Sequence, residues 1–325
     1  MKHKNAFARS AAAVLAAALL AGCAPAASSS ASIAASASSS ATAAISVTDM
    51  AGRSIELAGP ATRIVAISPA DCEILYAIGA GDALVGRGAS CDYPEEVLNI
   101  TAVESGQNLN IEQVMALEPE VIFMTKMAQT EEQVKALEDA GAKVIVSDAQ
   151  DIAGVYEAIA LVGAVTGKSA EAAELANSMK QGFAAIAKKA TGDGSKTIYF
   201  EVSPLEYGLW AAGSGTFMDE LATMLGLTNA FADVEGWGEV SQEQVIERNP
   251  DYIVTTTMYF GEGPAPEEEI AGRAGWQNIT AVANGAVFNA DSNETARPGP
   301  RLVNAAEALY EFVYGAAAQS QSAAA

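Results

Sequence analysis

Histidine, the side chain most often found in catalytic and metal sites, is nearly absent. The single copy, His3, stands in the first few residues. That removes Ser-His-Asp and Cys-His nucleophile systems from the body of the chain, and any zinc site built on imidazole. A GxxxxGK[ST] phosphate loop does not occur. Acidic residues number 40 against 18 Lys and Arg, for a net charge of -22. Pairs such as Glu201 and Asp219 could serve a carboxylate-dependent hydrolase, but among 40 acids such pairs discriminate nothing. The charge repels nucleic acid, whose binders need a basic face. What remains is a set of residues suited to binding. The first half offers Asp92, Tyr93, Lys126 and Met127, and the second Tyr207, Trp210, Trp237, Tyr259, Asn293 and Arg297. Two of the three tryptophans fall in this set, and aromatic residues give rigid contact area to a large planar or apolar ligand. Trp237, between Gly236 and Gly238, reads as a loop residue. Arg297 suits a carboxylate or catecholate, or equally a nearby Glu.

The elements that must position these residues begin with an export signal. Lys2, Lys4 and Arg9 precede an apolar run, Ala11 to Ala21, too short for the roughly 20 residues of a spanning helix. It ends in Leu20-Ala21-Gly22-Cys23, which resembles the bacterial lipobox, where the cysteine is lipidated. Residues 1–22 would be removed, with three basic and no acidic side chains, leaving 15 basic and 40 acidic and a net of -25. Residues 23–45 form a lipidated Cys23 and a Ser/Ala-rich tether, unable to bury a core. Residues 316–325 read as a disordered tail.

The 325 residues suggest about two domains. From Val47 onward strand-like and helix-like segments alternate, opening with a hairpin over Val47 to Leu57. An internal repeat divides the body. Asn110 to Thr125 recurs as Ser241 to Thr256, each with a capping residue, a Glu-Gln-Val triplet, a proline and a buried strand. Glu73 to Leu84 recurs as Glu220 to Phe231, with Gly79 over Gly226. Between the copies lie an amphipathic run from Asp151 to Val165 and a second from Ala170 to Ala190. The expected fold is α/β: two Rossmann-like lobes with mainly parallel central sheets, residues 46–168 and 191–315, joined by a single long helix over 169–190.

With these features the chain resembles the substrate-binding proteins of ATP-driven importers, in the helix-hinged group that delivers iron–siderophore complexes, haem and cobalamin. The carriers are Asp49 to Arg53, Arg63 to Pro69, Asp92-Tyr93-Pro94, Asn110 to Val121, Gly215 to Leu221, Val240 to Pro250 and Arg297-Pro-Gly-Pro-Arg301. The resemblance implies a non-enzymatic capture protein, lipid-anchored to the outer face of the cytoplasmic membrane. Its partners would be an ABC permease with ATPase subunits, its ligand a metal chelate between the lobes, with no cofactor or protein-bound metal. It also implies one surface glutamate per lobe for permease arginines, among Glu131 and Glu132 in the first lobe and Glu267, Glu268 and Glu269 in the second. A ferric siderophore or a corrinoid fits best, and haem would need tyrosine or methionine. A surface hydrolase and a haem-binding or sensory lipoprotein are the alternatives. Cys72 and Cys91 fall in neighbouring loops, where a disulfide is permitted outside the cell if the α-carbons come within about 7 Å.

Overall fold

The computed structural model describes residues 44–126 and 130–315. It opens with an antiparallel hairpin of β1 (Ile45–Thr48) and β2 (Ser54–Leu57). The buried Asp49 carboxylate at its turn accepts from the Ala51, Arg53 and Val146 amides, which ties the hairpin to the first sheet.

That sheet contains β3 (Ile64–Ala66), β4 (Leu84–Gly88), β5 (Ala102–Val103), β6 (Val121–Met124) and β7 (Lys143–Val146), in spatial order β5-β4-β3-β6-β7. Every pairing is parallel. The residues of β3 and β6 are all buried, as expected of strands covered on both faces. Its helices are α1 (Pro69–Ala77), α2 (Ile111–Met115) and α3 (Glu131–Asp139).

Two helices lead out of this lobe. Asp151 caps α4 (Ile152–Thr166) by accepting from the Gly154 amide, and Gly167 closes it at a positive φ of 71°. Then α5 (Ser169–Lys189) runs 21 residues, about 32 Å at 1.5 Å per residue. It buries Ala172, Met179, Phe183 and Ile186, a spacing that keeps them on one face.

The second lobe holds β8 (Thr197–Ser203), β9 (Trp210–Ala212), α6 (Phe217–Met224), β10 (Thr228–Asn229), β11 (Trp237–Glu239), α7 (Gln242–Arg248) and β12 (Tyr252–Thr255). It continues with α8 (Pro266–Gly272), α9 (Thr280–Ala283), β13 (Val287–Asn289), α10 (Ser292–Thr295) and α11 (Leu302–Tyr310). The strands order as β11-β9-β8-β12-β13, with β10 also beside β8. The β8–β10, β8–β12 and β12–β13 pairs are parallel. The β8–β9 and β9–β11 pairs are antiparallel, so one edge of this sheet is a ribbon. Trp237 therefore lies in a strand, opposite Ala212, and not in a loop as its glycine neighbours suggest.

The repeat is structural. Asn110 accepts from the Gln113 amide at the start of α2, and Ser241 from the Gln244 amide at the start of α7. After each helix comes a non-glycine residue of positive φ directly before a proline: Glu118 at 49° in the turn that follows α2, and Asn249 at 47° as the cap of α7. The proline disfavours the helical region for the residue ahead of it, and both copies resolve this in the same left-handed way. Gly79 and Gly226, matched in the second repeat, have φ of 70° and 68°. One apolar core runs from Ile64 and Ile74 through Ile159, Val162 and Phe183 to Phe200, Leu221 and Leu302, crossing both lobes and both connecting helices.

Candidate ligand-binding cleft

In open α/β sheets ligands gather beyond the carboxyl ends of the strands. Here a hollow of about 430 Å³ lies there, between the lobes. The first lobe supplies Ala149 and Gln150, just past β7. The second supplies Val202 and Ser203 at the end of β8, Trp210 and Trp237 from the ribbon, Phe217 and Met218 from the first turn of α6, and Ala296 and Pro298. The antiparallel register explains the tryptophan pair: with Trp237 opposite Ala212 and Trp210 opposite Glu239, the ribbon carries one indole at each end. The Trp237 Nε1 donates to Gln150 Oε1 at 2.9 Å, and its ring lies 5.3 Å from that of Phe217. The Phe217 amide donates to the Gln150 carbonyl at 2.8 Å. None of the residues lining this hollow is charged.

The charges stand beside it. Arg297, between Ala296 and Pro298, pairs with two carboxylates of the opposite lobe: Nη1 is 2.6 Å from Asp92 Oδ1 and 3.3 Å from Glu73 Oε1. Its Nη2 donates to the Ser90 carbonyl at 3.2 Å. Arg301 grips Glu73 through Nε at 2.9 Å and Nη2 at 2.7 Å, and its guanidinium covers the Tyr93 ring at 4.2 Å. The Glu73 side chain is only 2% exposed. Partial burial would raise the Asp92 pKa, but the hydrogen bond and charge of Arg297 win and hold it below the usual range. Removing one partner from a buried pair of this kind costs about 3–5 kcal/mol. The turn at Gly299 lies against α1, where a Cβ would come within 3.6 Å of Ala70 Cα. Of the two partners open to Arg297 from sequence, the structure has the neighbouring acids, and Asp92 and Tyr93 belong to the same contact.

The remaining candidates scatter. Tyr207 is 76% exposed on a single turn after β8. Tyr259 lines a separate acidic hollow with Glu201, Glu206, Glu262 and Glu269. Lys126 borders a first-lobe groove with Arg53 and Glu131, and its amide donates to Asp148. Asn293 sits in α10, its amide donating to Asp291. Met127 and Cys23 lie outside the described residues. Glu201 is no free carboxylate: both its oxygens accept from the buried Arg273 guanidinium, at 2.6 and 2.9 Å, while Asp219 accepts from Asn229.

The acids expected at the permease differ between lobes. Glu131 and Glu132 open α3 on the surface, where Thr130 and Gln133 form a capping box. In α8, Glu267 accepts from the Asn289 amide, Glu268 from the Ala265 amide, and Glu269 binds Arg273. Glu269 is thus part of the fold as well as the surface. Cys72 lies in α1 and not in a loop, and both it and Cys91 are buried free thiols, 3.6 and 3.8 Å from the Ala66 carbonyl. The Cys91 neighbour and burial push the Cys72 thiol well up, so it stays protonated.

The sequence profile of a family described as "Periplasmic binding protein" matches residues 64–294. The chain belongs to the periplasmic binding protein family. A Bacillus subtilis (strain 168) relative, "Uncharacterized ABC transporter substrate-binding lipoprotein YvrC", is 33% identical over 94% of this chain and 96% of its own. The "Vitamin B12-binding protein" of Salmonella paratyphi A is 28% identical, covering 77% of this chain and 89% of its own. A crystal structure of "a possible an iron-binding (periplasmic solute-binding) protein" from Staphylococcus epidermidis superposes with a TM-score of 0.68 at 31% identity, over 78% of this chain and 98% of that one. The two-lobed, helix-joined fold and the importer-type binding family expected from sequence are therefore those found.

The hollow and its flank also hold residues not among the sequence candidates. Gln150 follows β7, and the rule of strand carboxyl ends would have found it. Glu73 and Arg301 stood inside quoted motifs, but nothing in either motif says that they meet across 228 positions. Phe217 and Met218 lie within the Gly215 to Leu221 segment that carries the resemblance, which by itself gave them no role in the cleft.

Proposed function

We propose that this protein is the extracytoplasmic binding component of an ABC importer, capturing a metal chelate between its lobes and handing it to a membrane permease. The observation that carries this is the uncharged hollow between the lobes, walled by Trp210, Trp237 and Phe217 and closed from the other lobe by Gln150. Indoles and a ring edge suit a large ligand with an organic face. Among the described residues no group of three His, Cys, Asp or Glu could hold a bare metal ion, so recognition would run through the organic shell of a chelate. The Salmonella relative, named for vitamin B12, supports a corrinoid as the first ligand to test, and a ferric siderophore is the second. Anchoring through Cys23 matches the lipoprotein named in Bacillus subtilis.

The test is a titration of purified protein with a corrinoid, ferric siderophores and haem, followed by tryptophan fluorescence and calorimetry. Saturable one-to-one binding of at least one chelate at micromolar or lower concentration is the expected result. Failure of every chelate, together with binding of a sugar or peptide, would overturn the reading.

A further inference from the structure

Two cysteines of the first lobe take no part in the hollow, and both are free thiols in this structure. Cys72 lies in α1 and Cys91 in the loop after β4, and neither has exposed surface. The Cys72 Sγ is 3.6 Å from the Ala66 carbonyl oxygen. The Cys91 Sγ is 3.8 Å from the same oxygen and 3.8 Å from that of Ile67. Both sulfurs therefore hang over the end of β3, and the two thiols are neighbours. The backbone that brings them there is closely packed. A Cβ at Gly88 would fall 2.1 Å from the Ile67 carbonyl, and the Cys91 amide donates back to the Gly88 carbonyl at 3.0 Å. The residue after each cysteine is an acid, Glu73 and Asp92, and both acids accept from Nη1 of Arg297 in the other lobe.

We propose that Cys72 and Cys91 close a disulfide within the first lobe as the exported chain folds, and that this bond holds Glu73 and Asp92 at the spacing at which both reach Arg297. The proposal rests on the extracytoplasmic placement given above, since that compartment permits disulfides. A buried, protonated thiol is a poor nucleophile, so the bond forms before the core closes over Cys72. One cysteine thiolate attacks the disulfide of an oxidant, an extracytoplasmic thiol oxidoreductase, and releases one of its sulfurs as a thiolate. The second cysteine thiolate attacks the resulting mixed disulfide and releases the other. The pair loses two protons and two electrons, and the oxidant's disulfide becomes a dithiol. Once formed, the bond is shielded by the same burial from exchange with outside thiols.

Arg87 stands between the cysteines, so trypsin puts them in separate peptides, 64–87 and 88–126. The full-length protein from its membrane is alkylated in denaturant without reductant, digested and weighed by mass spectrometry. The two peptides are expected as one linked species, two hydrogens lighter than their sum. The same protein, reduced and unfolded, is then refolded in reduced and oxidised glutathione, where the linked species should return. Both cysteines alkylated in the exported protein, or no link after refolding, overturns the disulfide. A chain found in the cytoplasm would instead sink the proposed placement, and the refolding arm would still decide the bond. The positioning role has its own readout. Arg297→Gln should lower the melting temperature of the oxidised protein at least twice as much as that of protein refolded in dithiothreitol. Cys72→Ala with Cys91→Ala repeats the reduced case without reductant. A disulfide that acts only on the unfolded chain would leave the two losses equal, and that result overturns the positioning.

Discussion

The two cleft tryptophans differ in what holds them. Trp210 is 40% exposed on β9, whereas Trp237 packs on Phe217 and donates to Gln150. If each gives about 100 Å² of contact to a ligand, truncation costs roughly 2.5 kcal/mol at 25 cal/mol per Å², or about 50- to 100-fold in affinity. Trp210→Ala should show that loss with an unchanged melting temperature of the free protein. Trp237→Ala should show it together with a fall in melting temperature, because it also opens the Phe217 contact. Calorimetric titration and thermal melts separate the two, and a stability loss without an affinity loss would assign either indole to the fold alone. Asp71, in the first turn of α1, makes a different prediction. It is fully buried, neither oxygen has a hydrogen-bond partner of ordinary geometry, and burial raises its pKa to about 7, with the Asp148 charge adding and the Ser147 hydroxyl only partly opposing. The native state then holds a proton that the unfolded chain releases near pH 4. Stability from this group is full below pH 4, falls as pH rises, and is gone above about pH 7. Asp71→Asn should melt higher than the parent at pH 8 and converge with it near pH 4. A lower melt at pH 8 would mean that the charged carboxylate is needed.

At the scale of elements, α3 and α8 present their acids differently, and the docking test must respect that. Glu131→Lys with Glu132→Lys leaves the Thr130–Gln133 capping box in place. Glu267→Lys with Glu268→Lys leaves the Glu269–Arg273 pair. Either double reversal should lower uptake in cells at least tenfold with ligand affinity unchanged, since like charges facing each other cost several kcal/mol. Lost ligand binding would place these acids in the cleft or the fold. The elements themselves were readable wherever local chemistry decides them. Asn110 and Ser241 are caps in sequence and in structure, and Gly79, Gly167 and Gly226 stand where left-handed backbone ends a helix. The β9–β11 ribbon was not readable. Three residues flanked by Gly236 give no alternation long enough to see, and its pairing depends on a β8 edge fixed by the whole sheet. The cleft was legible in its aromatic half, because Trp210 and Trp237 are scarce residue types in loop-like settings. Its polar closure by Gln150 was not, nor was the Glu73–Arg301 contact beside it, since contacts made between lobes leave no periodic trace in either segment.

In the whole molecule, the lobes are joined by more than a connector. The α5 helix lies along α4 and against α11. The core passes without a break through all three into both sheets, and the arginine–carboxylate cluster fastens the lobes across the cleft. Large hinge opening would have to break apolar packing that costs about 25 cal/mol for each Å² exposed. Loaded and empty forms of so stiff a body would differ little in outline. If the protein is the importer component proposed above, its outline would report poorly on whether it carries anything, and empty copies would queue at the same gate as full ones. Excess ligand-free protein added to permease-containing vesicles should therefore slow uptake competitively, in proportion to its share of the total. Uptake indifferent to empty protein would show that the permease reads cargo through some difference other than lobe closure.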